Sequence, residues 1–241
     1  MKKTILLITI LFICRASAQN YEVVYTLEML AKNINLTTNI KTFLRGDGKT
    51  SIYVEDFRNS YEQDVENLGL IKIPTENNPT YIKELKSGTV TYNDHIRFNF
   101  FNIVDSISKF DWKMESEVKE ILGYKCQKAR VHFRGRDFVV YFSQEISTID
   151  GPLKFYGFPG LILEVISDDA IASFHYLAQS ISFPKGKLEI KNIYADKRKI
   201  QYVEYVKLYE EKYKESLTRI VNDEGETRPM PKGFMEVYIK N

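Results

Sequence analysis

Apolar and polar residues alternate with a period of two over much of this chain, and no other feature constrains its fold more. In KARVHF (residues 128–133) and RDFVVYF (136–142), successive side chains would lie on opposite faces of a β-strand. Gly135 separates the two stretches and can adopt the positive φ that a tight hairpin requires. The pattern predicts a β-hairpin over residues 125–143.

Similar alternating stretches recur on both sides of this hairpin. They are YEVVYTLEML, NIKTFLRG, TSIYVEDF, TVTYNDHIRFNFF, IASFHYLAQSISF and LEIKNIY. Residues typical of turns separate the stretches at 46–48, 87–88, 93–94 and 184–186. Strands in close succession, without regularly interleaved helices, predict a largely antiparallel sheet.

Three other stretches depart from this alternation. KRKIQYVEYVKLYEEKYKESL (residues 197–217) has the apolar periodicity of a helix packed on a sheet. Residues 59–70 could form a short helix or a long loop, and residues 222–233 are typical of a loop that leads to a last edge strand at 234–241. The predicted fold class is therefore mainly β, bordering on α+β: a curved, largely antiparallel sheet or half-barrel with a C-terminal helix packed on it.

Residues 1–18 have the features of a signal peptide. Lys2 and Lys3 precede a short apolar run, and residues 16–18 (Ala-Ser-Ala) fit the cleavage pattern. We expect cleavage after Ala18, a single domain over residues 19–241, and export to the periplasm or cell envelope of a Gram-negative bacterium. An uncleaved membrane anchor is the alternative, although the apolar run is shorter than the usual span of about 18 residues.

Net charge argues against nucleic-acid binding. The whole chain has 34 Lys and Arg against 32 Asp and Glu, and its predicted signal peptide holds three of the basic residues and no acid. Residues 19–241 therefore carry 31 − 32 = −1, without the strong basic character of nucleic-acid-binding proteins. They also contain no apolar run long enough to predict a transmembrane span.

Few residues of the predicted domain suggest catalysis. Cys126 is its one cysteine, and it is either a small buried apolar residue or a reactive thiol. His95, His132 and His175 lie far apart without metal-ligand spacing, and no cofactor-binding motif occurs. Glu164 interrupts an apolar run, which predicts an exposed carboxylate or one paired with Lys or Arg rather than a general acid.

The stretch GFPGLILEV (residues 157–165) predicts a rigid turn followed by a core strand. Pro159 fixes φ at the first central position of a type II turn, and Gly160 would supply the positive φ required at the second. The chain then continues into the predicted strand at Leu161.

This stretch resembles the signature of the GLPGLI family, exported proteins of a Gram-negative bacterial group, with Phe158 in place of the usual Leu. The resemblance covers residues 110–180 and the signal peptide. It rests on Trp112, Gly123, Tyr124, Cys126, Gly135, Arg136, Gly151, Pro152, Phe155, Gly157, Pro159, Gly160, Leu161 and Glu164. The resemblance implies export and a single β-rich domain, and it supplies no catalytic or cofactor-binding residues.

Three functional hypotheses are compatible with the sequence. The first is a non-enzymatic envelope protein that binds an apolar ligand or a protein partner through a curved β-sheet. The second is a thiol-dependent enzyme or hydrolase centred on Cys126. The third is a structural partner of an outer-membrane complex.

Overall fold

The computed structural model describes residues 19–32, 36–57, 78–107, 109–218, 230–233 and 235–239. The predicted signal peptide, the stretch 59–70 and most of the predicted loop 222–233 lie outside these residues.

The described residues form one curved, open sheet. Its strands are β1 (Tyr21–Ala31), β2 (Leu36–Gly46), β3 (Thr50–Asp56), β4 (Thr80–Glu84), β5 (Thr89–Ile96), β6 (Asn99–Ser106), β7 (Lys113–Ile121), β8 (Tyr124–Phe133), β9 (Arg136–Ser143), β10 (Leu161–Asp168), β11 (Ala172–Ser182) and β12 (Ile200–Gln201). The strand order is β12-β6-β5-β4-β3-β2-β1-β11-β10-β9-β8-β7. Neighbouring strands are antiparallel except β12 and β6, which are parallel. The predicted fold class is confirmed.

The predicted hairpin is formed by β8 and β9. Its two-residue turn places Arg134 at φ 47° and Gly135 at φ 83°. Two consecutive positive φ values are typical of the type I′ turn, whose twist matches that of the flanking strands. Leu122 and Gly123 join β7 to β8 in the same way, with φ values of 54° and 81°.

The predicted helix is α1 (Tyr202–Thr218), and it packs on the sheet beside β6. Tyr205 and Tyr209 are buried on its inward side. The ring of Tyr205 meets Phe101 edge-on at 5.7 Å, and its hydroxyl donates to the carbonyl of His95 at 3.0 Å. Tyrosines thus attach the helix to the sheet through both ring packing and hydrogen bonds.

The predicted turn at 93–94 is wrong, because both residues lie within β5. Their polar side chains accept hydrogen bonds from distant tyrosines, Asn93 from Tyr194 at 2.8 Å and Asp94 from Tyr238 at 2.9 Å. Asp94 also accepts a local hydrogen bond from the His95 amide at 2.7 Å, but the long-range partners hold both side chains while the backbone continues the β5 ladder. The chain reverses instead after β5, where Arg97 has a φ of 57°.

Two predicted strands are irregular in the structure. Residues 188–194 form no ladder, and Tyr194 is buried there with its hydroxyl donating to the carbonyl of Thr80 at 2.8 Å. Residues 235–239 add no edge strand; Val237 donates its amide to the carbonyl of Arg134 at 2.9 Å, and Tyr238 is buried. In both places the alternating side chains anchor a loop on the sheet.

The sheet has an inner face, covered by residues 144–160, by α1 and by residues 235–239. Residues 144–160 connect β9 to β10, and we name them the plug segment. Cross-strand rows of buried residues such as Leu27 and Tyr176, or Tyr53 and Tyr81, form the sheet side of this core.

Candidate functional site

The plug segment is held on the inner face by aromatic packing. The ring of Phe158 stacks on Phe142 with centroids 4.2 Å apart and lies 4.4 Å from Trp112. Phe155 packs against Phe138 at 4.8 Å. Trp112 and Phe155, on which the family resemblance rests, therefore meet Phe158, which replaces the family's usual Leu, in one cluster.

The glycines of the motif have different roles from those predicted. Gly160 does not have a positive φ; that conformation belongs to Gly157, at 93°. The predicted type II turn with Gly160 at its second central position is therefore wrong. Gly160 is required for close approach, because a Cβ there would lie 2.1 Å from the carbonyl oxygen of Ser143. Gly151 is required for the same reason, because a Cβ added there would lie 2.7 Å from Ile162 Cδ1.

A buried ion pair fixes the middle of the plug segment. Lys83 Nζ lies 2.5 Å from Asp150 Oδ1, with both side chains almost fully buried. Lys83 also donates to the carbonyl of Gly151, and the Tyr21 hydroxyl donates to Asp150 at 2.7 Å. Burial lowers the pKa of Lys83, and Asp150 opposes that shift. Such a pair orients the segment, because separating it would leave a charge in the core.

A second ionic cluster joins the plug segment to the C-terminal residues. Lys154 contacts Asp105 at 3.1 Å and Glu236 at 2.5 Å. Arg134 contacts the same two carboxylates at 2.6 and 2.9 Å. Although burial opposes ionisation, Arg134 and Lys154 hold the pKa of Asp105 below its usual range. Two cations and two anions thus balance where β6, the β8–β9 turn, the plug segment and residues 235–239 meet.

The cavity beside this cluster is small. Its volume is about 20 Å³, and it is lined by Tyr81, Phe133, Phe138, Leu153, Lys154, Met235 and Glu236. That space accommodates about one water molecule. Sites for small-molecule ligands usually measure about 300–1,000 Å³.

Glu55 is a buried carboxyl group that the sequence analysis did not single out. It lies on the inner face of β3, where burial raises its pKa from 4.5 to about 7. The Tyr176 hydroxyl donates to it at 3.2 Å and also lies 3.7 Å from Met235 Sδ. The strand alternation contained a signal, because Glu55 shares the parity of Ser51 and Tyr53, which face the core.

Glu164 lies on the opposite, outer face in a polar cluster. It accepts a hydrogen bond from His175 Nε2 at 2.8 Å and forms an ion pair with Lys119. Lys119 in turn lies 3.9 Å from the ring centroid of Tyr141. The Glu164 hydrogen bond raises the pKa of His175; burial works against ionisation of Glu164, but His175 and Lys119 lower its pKa. Of the two predicted environments, Glu164 has the paired one.

Cys126 lies near this cluster but is fully buried. Its Sγ donates to the carbonyl of Tyr124 at 3.4 Å. Burial raises its pKa to about 11, and the nearby Lys119 only partly offsets this shift. A nucleophilic thiol needs a lowered pKa and access to solvent. Cys126 has neither, and it packs as a small apolar residue.

The three histidines do not converge. His95 lies on β5 beside Phe100, His132 lies on β8 with Nδ1 2.7 Å from Asp137, and His175 lies on β11. Over the part of the chain that the structure describes, no group of three or more His, Cys, Asp or Glu residues could hold a metal ion.

The other residues on which the family resemblance rests lie at the starts of strands or in the plug segment. Arg136 is buried, forms an ion pair with Asp169 and lies 5.2 Å from the ring centroid of Phe174. Tyr124 begins β8 and is half-buried, Leu161 begins β10 and is fully buried, and Pro159 is exposed. Pro152 is buried, and its carbonyl accepts the amide of Phe155 at 3.1 Å.

Comparison with known proteins finds similarity at the level of fold. No family model and no curated protein matches the chain. The chain is similar to PNGF-II in two crystal forms, with a TM-score of 0.52 in each and identities of 18% and 16% over 80% of this chain. The chain spans only a third (33%) of PNGF-II, and at this identity the likeness shows the fold alone.

Two further solved structures match more distantly. An uncharacterized conserved protein from Thermus thermophilus has a TM-score of 0.36 at 8% identity, over 76% of this chain and 91% of that one. A putative outer membrane lipoprotein-sorting protein domain from Vibrio parahaemolyticus has a TM-score of 0.27 at 10% identity, over 72% of this chain and 89% of that one. Both similarities are too weak to support an argument about function.

Within the residues that the structure describes, no helix is long and apolar enough to cross a membrane.

Proposed function

We propose that this chain is an exported, GLPGLI-type envelope protein that acts by binding, and that it binds a protein partner at its surface. The filled inner face carries the proposal. In a carrier of apolar ligands, this face would provide the pocket; here the plug segment and residues 235–239 cover it, and the cavity between them in the described part of the chain measures about 20 Å³. The buried, high-pKa thiol of Cys126 gives the alternative of a thiol enzyme no support.

The partner site that we propose is the free edge of β7. Among the described strands, β7 pairs only with β8, so its other side offers backbone donors and acceptors to an added strand. Met114, Val118 and Leu122 along this edge are 44–47% exposed. Residues 118–121 pair with β8 in regular register, whereas the register shifts between Met114 and Val118.

The charges on β7 limit the partners that this edge accepts. Glu115 and Glu117 face outward but are paired with Lys128 or Arg130 on β8. Bulges and charges on edge strands prevent indiscriminate pairing between sheets. The regular segment 118–121 therefore suits a short extended segment of a partner better than a second long strand.

Native mass spectrometry of residues 19–241, purified without detergent, tests whether the protein is a carrier. We expect the mass of the polypeptide alone, because the inner face is already filled. A stoichiometric lipid in the native spectrum that is absent after denaturation would overturn the proposal in favour of an apolar-ligand carrier.

Site-specific photo-crosslinking in the cell envelope tests the partner site. A photoreactive residue at Val118 should give a discrete adduct with one protein, and the same residue at Leu217, which is also exposed, should not. An outer-membrane protein in the adduct would favour the structural-partner hypothesis. Equal, diffuse labelling at both positions would contradict a specific β7 site.

A further inference from the structure

Two phenylalanines project from the hairpin that joins β5 and β6. Phe98, in its turn, is 95% exposed and Phe100 is 52% exposed. Neither adds substantially to the core, and Phe98 forms the two-residue turn together with Arg97. Exposed aromatic groups at one tip are typical of surfaces that contact another phase or molecule.

The support beneath these rings is rigid. β5 and β6 pair without a register shift from Thr89 and Ser106 to Ile96 and Asn99. Ile96, next to the turn, is buried. His95 lies across the ladder from Phe100 with ring centroids 5.6 Å apart. The backbone that carries both rings is therefore ordered before any contact is made, and His95 packs beside the ring of Phe100, which reduces the entropy cost of binding.

Basic residues lie beside the same end of β6. The Asn102 side chain donates to the carbonyl of Arg198 at 3.0 Å, and two residues later Ile200 pairs with Ile103 in parallel. Residues 197–199 (Lys-Arg-Lys) therefore run along the half of β6 that carries Phe100, and all three are exposed.

This basic character extends over the segment that leads to β12. Residues 183–199 contain six Lys and Arg against two Asp and Glu, a net charge of 6 − 2 = +4. Residues 19–241 as a whole carry −1. Only the end of this segment, residues 197–199, lies beside the aromatic tip, because Pro184 and Gly186 accept hydrogen bonds from Asn20, next to the start of β1.

We propose that Phe98, Phe100 and the basic residues 197–199 form a docking surface for an anionic phospholipid membrane. The rings enter the boundary between headgroups and acyl chains, and the cations contact the lipid phosphates. Apolar groups beside clustered Lys and Arg bind such surfaces through both burial and electrostatic attraction. A protein partner would explain the exposed rings, but it would not by itself require three consecutive exposed basic residues, 197–199, beside them.

This surface lies far along the strand order from β7. The strands from β4 to β1 and then from β11 to β8 lie between the β5–β6 hairpin and β7. The membrane proposal therefore stands independently of the partner proposed for β7. If both hold, the sheet connects a lipid surface to a bound protein segment.

Sedimentation with vesicles tests the proposal on residues 19–241. Vesicles of equal parts phosphatidylglycerol and phosphatidylcholine should bind the protein, and vesicles of phosphatidylcholine alone should bind it several-fold more weakly. Binding should fall on raising the salt, since screening shortens the range of these charges. The double variant Phe98→Ser, Phe100→Ser should lower the partition coefficient about tenfold or more.

Two further variants separate the contributions. Lys197→Glu with Arg198→Glu should abolish the preference for phosphatidylglycerol, whereas Leu217→Ser, which removes another apolar side chain that is 56% exposed, should leave the partition unchanged. All these side chains are exposed, so unchanged unfolding midpoints will confirm that the variants fold. Equal binding of the wild type to both vesicles, no binding to either, or undiminished binding of the double Phe variant would overturn the proposal.

Discussion

Replacing Glu55 with Gln should stabilise the protein at alkaline pH and not at acidic pH. Burial raises the pKa of Glu55 from 4.5 to about 7 in the folded protein. In the unfolded chain the carboxyl group regains its ordinary pKa, so between these values the folded state binds more protons. The stability of the wild type therefore falls as the pH rises from about 4.5 to about 7 and levels off above that range.

The size of the effect follows from the width of that window. A shift from 4.5 to about 7 corresponds to about 3 kcal/mol at about 1.4 kcal/mol per pKa unit. The glutamine side chain cannot ionise, so Glu55→Gln should be more stable than the wild type by up to about 3 kcal/mol at pH 8. At pH 4 both side chains are neutral and the difference should be close to zero.

Chemical denaturation at the two pH values measures this difference. The chain has one tryptophan, and Trp112 packs against Phe158 of the plug segment, so its fluorescence reports unfolding of the core. Asp94 also has a raised pKa, and its charge helps to raise the pKa of Glu55, so the measured difference includes the repulsion between the two carboxylates.

Glu236→Gln provides the matched control. Glu236 is another buried glutamate, but Lys154 and Arg134 contact it. Its substitution should destabilise the protein at pH 8, because it removes a partner from two buried cations. A Glu55→Gln variant with the same stability difference at pH 4 and pH 8 would refute the assignment of a buried carboxyl group with a raised pKa.

Further predictions concern the plug segment and the buried thiol. Gly160→Ala should destabilise the protein by about 2 kcal/mol or more by denaturant titration, since its Cβ would overlap the Ser143 carbonyl; an unchanged midpoint would contradict the close approach. Lys83→Met should cost about 3–5 kcal/mol because it leaves Asp150 buried without its cation, and adding Asp150→Asn should recover part of that loss. Cys126 should resist iodoacetamide at pH 8 in the folded protein and react after denaturation, because burial raises its pKa to about 11; labelling at the rate of a free thiol would show that it is accessible.

The sheet was predictable from the sequence because strand alternation is a local property. The hairpin of residues 125–143 and the helix near 200–217 follow from periods of two and 3.6 that need no knowledge of distant residues. The association of Asn and Asp with turns, also a local rule, failed for Asn93 and Asp94, whose partners Tyr194 and Tyr238 lie far away in the chain. Alternation itself was misleading elsewhere. It failed for residues 235–239 because alternation does not distinguish a strand from a loop anchored on a core.

The candidate sites were likewise predictable from the sequence only where they depend on local residues. The family resemblance rests on Trp112 and Phe155, but it did not show that they pack in one cluster with Phe158, where the chain departs from the family signature. Gly160 could be recognised as necessary, yet the reason is the Ser143 carbonyl of β9, at the opposite end of the plug segment. The burial of Glu55 depends on segments far from β3, so parity alone could suggest its direction but not its pKa.

The pairing of β1 with β11 has a consequence for how the chain folds. These strands join the meander β1–β6 to the meander β7–β11, and the register places Glu22 opposite Ser182, far apart in the sequence. During synthesis each meander can form from contacts between neighbouring strands, but β1 has no partner on this side until residues 172–182 are available. Closing so distant a pairing is slow. The seam between β1 and β11 is therefore where a newly made chain remains open longest, and where a chaperone or a second unfinished copy would find an unpaired edge.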